Sequence, residues 1–223
     1  MPPTKKAERT YGQYCPIALG LDVLGDRWTL LICRELFLGD QRFTDLRNAL
    51  PGLAPNLLTE RLRSLQSGGL VESIELPPPA ARTVYRLTAA GREVGPVLRA
   101  MSRFGAQYLD SDAPPTFTAR RAANTLLNAW RRASDTTMRV RLELGDRGVD
   151  LDVVDLLVTP RDVQVVEVAG EPDAATEPAD VTVRTTARDL VRARQGETLV
   201  ASLTGAAAAR REFLDTFRLQ LAL

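Results

Sequence analysis

Histidine is missing from the 223-residue chain. Its absence removes Ser-His-Asp and Cys-His catalysis and takes away the commonest zinc ligand. Cysteine is nearly absent too, with only Cys15 and Cys33, too few for a disulfide framework in a reducing compartment. No apolar run approaches the ~20 residues of a membrane-spanning helix. The basic start Lys5-Lys6 is not followed by an apolar stretch, so no secretory signal, no membrane association and a cytoplasmic location are expected. The sequence holds no phosphate loop, no metal-ligand cluster and no nucleophile–base pair. We therefore expect no catalytic residue, no metal, no cofactor and no enzyme activity.

The chain is long enough for two domains, and its composition, 44% hydrophobic and 26% charged, is that of a globular protein. The net charge of +1 is unevenly spread. Residues 1–109 carry 14 Lys+Arg against 10 Asp+Glu, whereas residues 110–223 carry 15 against 18. The first half is the better candidate for meeting a polyanion. All basic residues except Lys5 and Lys6 are arginine, a composition that suits a GC-rich bacterial genome.

After a polar arm over residues 1–14, apolar spacing predicts a short helix from Cys15 to Gly25, with Pro16 in its first turn. A second helix runs to Phe37, capped by Asp26 and carrying Trp28, Leu31, Ile32 and Leu36 on one face. Arg42–Leu50 reads as a third helix, broken by Pro51-Gly52. A fourth covers Pro55–Gln66 with Leu58, Leu62 and Leu65 as its buried stripe. Val71–Leu76 and Val84–Leu87 alternate like strands, and Pro77–Arg82 between them reads as a protruding hairpin tip. Thr88 caps a long helix over 90–109. Asp110–Thr116 has the composition of a domain boundary.

Two helices joined by a Pro-Gly turn and followed by a two-stranded hairpin form a winged helix-turn-helix. One α-helix fits the major groove of B-DNA, where each base pair shows its own donor and acceptor pattern. At about 100° per residue, the face of helix 55–66 opposite its leucines carries Asn56, Glu60, Arg63 and Ser67, flanked by Thr59 and Ser64. These types suit base edges: Asn adenine, Arg guanine, Glu cytosine. Asn56 and Thr59, near the helix N-terminus, are best placed to reach bases. Arg42 and Thr44 are candidate phosphate contacts. Arg82 has two readings, a minor-groove or phosphate contact and a solvated loop arginine. Arg61 falls beside the leucine stripe and reads as a structural ion pair.

Several pieces in order carry a family resemblance: Cys15-Pro16, Leu24-Gly25-Asp26-Arg27-Trp28, Arg42-Phe43-Thr44-Asp45-Leu46, Leu58-Thr59-Glu60-Arg61-Leu62 with Leu65, Gly69-Leu70-Val71, and Tyr85-Arg86-Leu87-Thr88 with Gly91. Over residues 11–109 the chain resembles the HxlR-type branch of the MarR-like winged-helix transcription regulators. The resemblance implies a sequence-specific regulator that binds double-stranded DNA as a homodimer, built from the N-terminal helix and the long helix after the hairpin. Half-sites would lie ~34–36 Å apart. It also places Cys15 where some members carry a redox-sensing cysteine. The other reading of Cys15 is a small packed residue, and Cys33 reads as core filler.

The second half is predicted as a helix over 118–133, then strands at Met138–Leu144, Val149–Val154, Leu156–Thr159 and Val163–Val168. An acidic loop, a strand at Val181–Thr185, a helix at Ala187–Arg194, a short strand and a closing helix over 206–219 complete it. The order Val181-Thr182-Val183, Asp189-Leu190, Gly205 and a helix with Phe213 and Phe217 resembles the sterol carrier protein-like fold. That resemblance implies an apolar pocket for a small-molecule effector, with Leu126, Trp130, Leu190 and Phe213 as lining or as plain core. The expected fold class is α+β: a winged helix-turn-helix domain over 1–110, a linker over 111–117 and a sterol carrier protein-like α/β domain over 118–223. The competing functional reading is a lipid-binding or lipid-sensing protein whose winged helix makes protein contacts only.

Overall fold

The computed structural model describes residues 10–78, 81–109, 118–123, 136–145, 151–160, 163–166, 178–194 and 197–217. The chain divides into two units, Met1–Leu98 and Arg99–Leu223. Segment 111–117 lies outside the described residues.

The first unit runs α1 (Pro16–Leu24), α2 (Thr29–Phe37), α3 (Phe43–Ala49), α4 (Pro55–Ser67), β1 (Val71–Leu76), β2 (Arg82–Leu87) and α5 (Ala89–Arg92), and α6 (Gly95–Ala106) begins in it. Its core gathers Ile32, Cys33 and Leu36 of α2, Leu46 of α3, Leu58, Leu62 and Leu65 of α4, and Val71 and Leu87 of the hairpin. Each comes from the apolar stripe of an amphipathic element, so the helices bury their leucines against one another and against the inner face of the hairpin. β1 and β2 pair antiparallel from Val71↔Leu87 to Leu76↔Arg82. Gln41, just before α3, extends the ladder: its N–H donates to the Tyr85 carbonyl at 2.9 Å and its carbonyl accepts from the Tyr85 N–H at 2.7 Å. The hairpin is thereby tied to the segment that enters α3.

Four local expectations need correction. Asp26 does not cap α2; the cap residue is Trp28, at φ 82° and without a side-chain cap bond, and the Asp26 carboxylate pairs with Arg61 instead. Leu31 is exposed, and Cys33 takes its place on the buried face of α2. The long helix over 90–109 is interrupted, with α5 ending at Arg92 and α6 starting at Gly95. Pro96 explains the break, since it has no N–H to give to the carbonyl four residues back but is tolerated in a first turn. Arg82 is not at the hairpin tip; it is the first residue of β2, paired with Leu76.

The second unit holds a five-stranded sheet in the order β5-β4-β3-β6-β7, from β3 (Met138–Leu144), β4 (Asp152–Val158), β5 (Val163–Val166), β6 (Val181–Thr185) and β7 (Ala201–Gly205). Among the described residues only the β3–β6 pair is parallel. One sheet face carries Val140, Leu142, Leu156, Val181 and Val183, all fully buried, as are Phe213 and Phe217 of α8 (Ala207–Phe217), which packs on β6 and β7. Helix α7 (Ala187–Arg194) adds buried Leu190 and Val191. The opposite face carries Arg139, Arg141 and Glu143 beside Val153 and Leu157, and there Arg141 grips the buried Asp155 carboxylate through two nitrogens at 2.8 and 2.9 Å. This pairing answers the expected break between strands at Asp155. A paired carboxylate can stay inside the ladder, so residues 152–158 form one strand. Among the described residues no helix is long and apolar enough to cross a membrane.

Candidate nucleic-acid interface

The turn between α3 and α4 is made by Pro51-Gly52. Gly52 sits at φ 89°, a left-handed conformation that glycine adopts without strain. Leu53 then dives into the core, and Pro55 opens α4 in its first turn, where its missing N–H costs no helical bond. Leu58, Leu62 and Leu65 are 0%, 2% and 2% exposed, which fixes the inward side of the helix. Asn56, Glu60, Arg63 and Ser67 are exposed, and Thr59 and Ser64 are half-buried at the flanks. The outward surface of α4 therefore offers an amide, a carboxylate, a guanidinium and hydroxyls without an apolar side chain among them.

The partners of these groups differ. The Thr59 hydroxyl donates to the Pro55 carbonyl at 3.0 Å, leaving its lone pairs to accept. Glu60 Oε1 lies 3.3 Å from Arg61 Nη1. Arg63 has no ion-pair partner among the described residues. At the start of α3 the Asp45 carboxylate accepts the Arg42 backbone N–H at 3.0 Å and lies 3.7 Å from Arg42 Nε, while Thr44 is exposed in the first turn. Arg82 is half-buried, its Nε without a hydrogen-bond partner among the described residues. All eight candidates thus fall in the first unit: Arg42, Thr44, Asn56, Thr59, Glu60, Arg63 and Ser64 at the α3–α4 pair, and Arg82 on the hairpin.

Two ties that sequence reasoning left without partners hold α4 in place. Arg61 Nη1 is 2.6 Å from Asp26 Oδ2 in the α1–α2 turn. Gln66 Nε2 donates to Ser73 Oγ on β1 at 3.2 Å. Spacing along the chain carries no signal for either, because both join separate elements.

The two cysteines stand in different surroundings. Cys15 is half-buried at the N-cap position of α1. Cys33 is fully buried, and burial pushes its thiol up to about 11. A raised thiol pKa means that the fold holds the neutral form, so this contribution to stability is complete below about pH 9 and is lost as pH rises from there towards 11. Chemical denaturation across that range should show a fall in stability of order 2 kcal/mol that Cys33→Ala lacks; parallel curves for the two proteins would refute it.

Outward-facing apolar side chains gather on two helices. α1 exposes Ile17, Leu19, Leu21 and Val23, with Ile17 at 74%. α6 exposes Val97, Met101 and Phe104, and Tyr108 beyond it meets Phe104 edge to face at 5.5 Å. Leu126 and Trp130 lie outside the described residues, and Leu190 and Phe213 are 1% and 0% exposed.

Residues 23–113 match the family model described as HxlR-like helix-turn-helix. The chain is similar to an HTH-type transcriptional regulator of Synechocystis sp., 41% identical over 102 residues, which cover 46% of this chain and 76% of that protein. It is also similar to the HTH-type transcriptional regulator YvaP of Bacillus subtilis, 34% identical over 99 residues, 44% of this chain and 92% of that one. A solved structure of a MarR-family transcriptional regulator from Porphyromonas gingivalis W83 is 28% identical, covering 45% of this chain and 99% of its own, with a TM-score of 0.41.

Proposed function

This chain belongs to the HxlR-like helix-turn-helix family, and from that premise we propose that it is a sequence-specific transcription regulator that enters the DNA major groove with α4 as a homodimer. The observation that carries the reading is the divided surface of α4, leucines sealed inward and Asn56, Glu60 and Arg63 open outward. In the groove Asn56, Thr59, Glu60 and Arg63 face base edges with Ser64 at their flank, Arg42 and Thr44 meet phosphate, and Arg82 meets phosphate or the minor groove. The family is one of transcription regulators, so the role asked of these side chains is binding rather than bond making. A mobility-shift assay on the upstream region of the protein's own gene, at two salt concentrations, tests it. Sequence-specific binding that weakens steeply with salt is expected; binding indifferent to sequence and salt would overturn it.

For the homodimer, the support is the exposed apolar surface on α1 and α6, of a kind that monomers rarely leave uncovered. Ile17→Glu with Phe104→Glu should turn a dimer into a monomer on analytical ultracentrifugation and weaken operator binding, because one half-site then binds alone. A double variant that sediments like the unaltered protein would exclude these helices as the interface.

We propose two further roles. Cys15 acts as an oxidant sensor; the support is its thiol, half-buried and so within reach of solvent, at the N-cap position of α1. DNA release on mild peroxide should disappear in Cys15→Ser and persist in Cys33→Ala. The second unit is a sterol carrier protein-like domain taking an apolar effector; the support is its helix-covered sheet, with Leu190 and Phe213 in the apolar layer. Native mass spectrometry of the purified protein should find a co-purifying apolar molecule that is lost on organic extraction. Finding none, and no binding of added fatty acids, would remove the effector.

A further inference from the structure

We propose that Asp26 and Arg61 form a positioning pair that sets the rotation of α4, and with it the aim of Asn56 and Arg63; the proposal rests on the DNA-binding reading of α4. Arg61 lies about 60–70° around the helix from the leucine stripe, counting 100° per residue. Its side chain is 17% exposed, and Nη1 stands 2.6 Å from Asp26 Oδ2. Leucine packing sets the depth and the approximate rotation of the helix, but its contacts are non-directional, so it does not by itself fix the last degrees of turn. A short, charge-assisted bond at the flank is directional and works against rotation. At a side-chain radius of about 5–6 Å, a turn of about 20° moves the outward groups by roughly 2 Å, enough to break hydrogen bonds of about 2.7–3.2 Å to base edges.

The anchor at the other end is stiff. Asp26 follows Gly25, where an added Cβ would come 2.5 Å from the Leu21 carbonyl oxygen. Gly25 donates its N–H to that same oxygen at 2.7 Å, and the Asp26 carbonyl accepts from Thr29 at 3.2 Å. The Asp26 carboxylate thus hangs from a turn with little freedom, between a helix with an open apolar surface and the helix that we place in the groove.

Arg61 Nη1 also lies 3.3 Å from Glu60 Oε1, and Arg61 Nε has no hydrogen-bond partner among the described residues. One nitrogen therefore serves two carboxylates. In Asp26→Asn the acceptor left beside Arg61 is neutral, and Nη1 turns to Glu60, the one acidic side chain of α4. That shift draws the carboxylate away from the outward surface. The pair then affects recognition twice, through the rotation of α4 and through the reach of Glu60.

A pair whose acid is 50% exposed contributes little to stability, which separates positioning from mere folding. The test uses the full-length protein and a duplex selected by it from a randomised pool, with an unrelated duplex of equal length as reference. Asp26→Asn should reduce the preference for the selected duplex about 5- to 20-fold, a loss on the scale of a mismatched base pair. Affinity for the reference duplex and the slope of affinity against salt should stay as they were, and the thermal midpoint should move by less than about 5 °C. Asp26→Glu should restore most of the preference, and Asp26→Asn with Arg61→Gln should lose no more than the worse single variant. Unchanged preference in Asp26→Asn overturns the proposal, as do equal losses on both duplexes or additive losses in the double variant. If Asp26→Asn does not fold, Arg61→Gln carries the test: the same loss of about 5- to 20-fold, confined to the selected duplex, is expected, and an unchanged preference overturns the proposal. An unaltered protein without sequence preference sinks the parent reading instead, and this one with it.

Discussion

Gly91→Ala should cost the first unit about 3 kcal/mol or more, the upper end for forcing a methyl group into a filled site. A Cβ at Gly91 would stand 2.0 Å from the Leu70 carbonyl oxygen, 3.0 Å from its carbon and 3.1 Å from Leu87 Cδ2. The nearest obstacle is backbone, and that backbone is already committed: the Leu70 carbonyl accepts from the Thr88 N–H at 3.0 Å, and the Thr88 hydroxyl donates to the Gly69 carbonyl at 2.6 Å. The Gly91 N–H in turn donates to Thr88 Oγ1 at 3.1 Å. This knot joins the exit of α4 to the exit of the hairpin, and Gly69, at φ 72°, makes the turn between α4 and β1. Loosening it should cost DNA binding together with stability. For a unit of about this size the midpoint should fall by some 12–20 °C in circular dichroism melts. Gly105→Ala is the control. Gly105 is helical with nothing within 4 Å of the position its Cβ would take, so alanine there should be neutral or stabilise by roughly 0.5–1 kcal/mol through helix propensity. Equal melting of Gly91→Ala and the unaltered protein would dismiss the steric argument.

Gly91 also marks where the sequence stops being readable. Its place after Leu87-Thr88 belongs to the resemblance, but the reason for a glycine is a carbonyl 21 residues away, which no local pattern announces. The amphipathic helices were legible because burial repeats along the chain: Leu58, Leu62 and Leu65 follow the helical period. The turn before α4 was legible because Pro51-Gly52 interrupts that period. Errors arose where a long-range partner outweighed a local preference. Asp26 is a good capping residue by type, yet its carboxylate is drawn to Arg61 of α4, and the cap position of α2 falls instead to Trp28 with a left-handed backbone. Asp155 interrupts an apolar run and so reads as a break, but two arginines on β3 hold it inside the sheet. The candidate surface on α4 was the most legible part, because it depends on one helix and the angle between successive residues. What positions that surface was the least legible, because it depends on ties to other elements.

The second large effect concerns the outward face itself. Arg63→Ala and Asn56→Ala should each weaken binding to the selected duplex by about 1–3 kcal/mol, the range for a bidentate base contact. The two losses should differ in kind. Arg63 is exposed and pairs with no carboxylate among the described residues, so its charge is open to the polyanion. Part of its loss should appear on any duplex, with the salt slope shallower by up to about one ion. Asn56 is uncharged and sits in the first turn of α4, so its removal should leave the salt slope alone and relax the choice of one base pair, most simply one with adenine. Arg42→Ala should give the third pattern: its guanidinium is half-spent on Asp45 at 3.7 Å, so a small and sequence-blind loss is expected. Repeating the duplex selection with each variant reads these differences directly. Should Arg63→Ala and Asn56→Ala both select the same sequence with undiminished affinity, α4 does not read bases through this face, and the divided surface of the helix would have to serve a partner other than DNA.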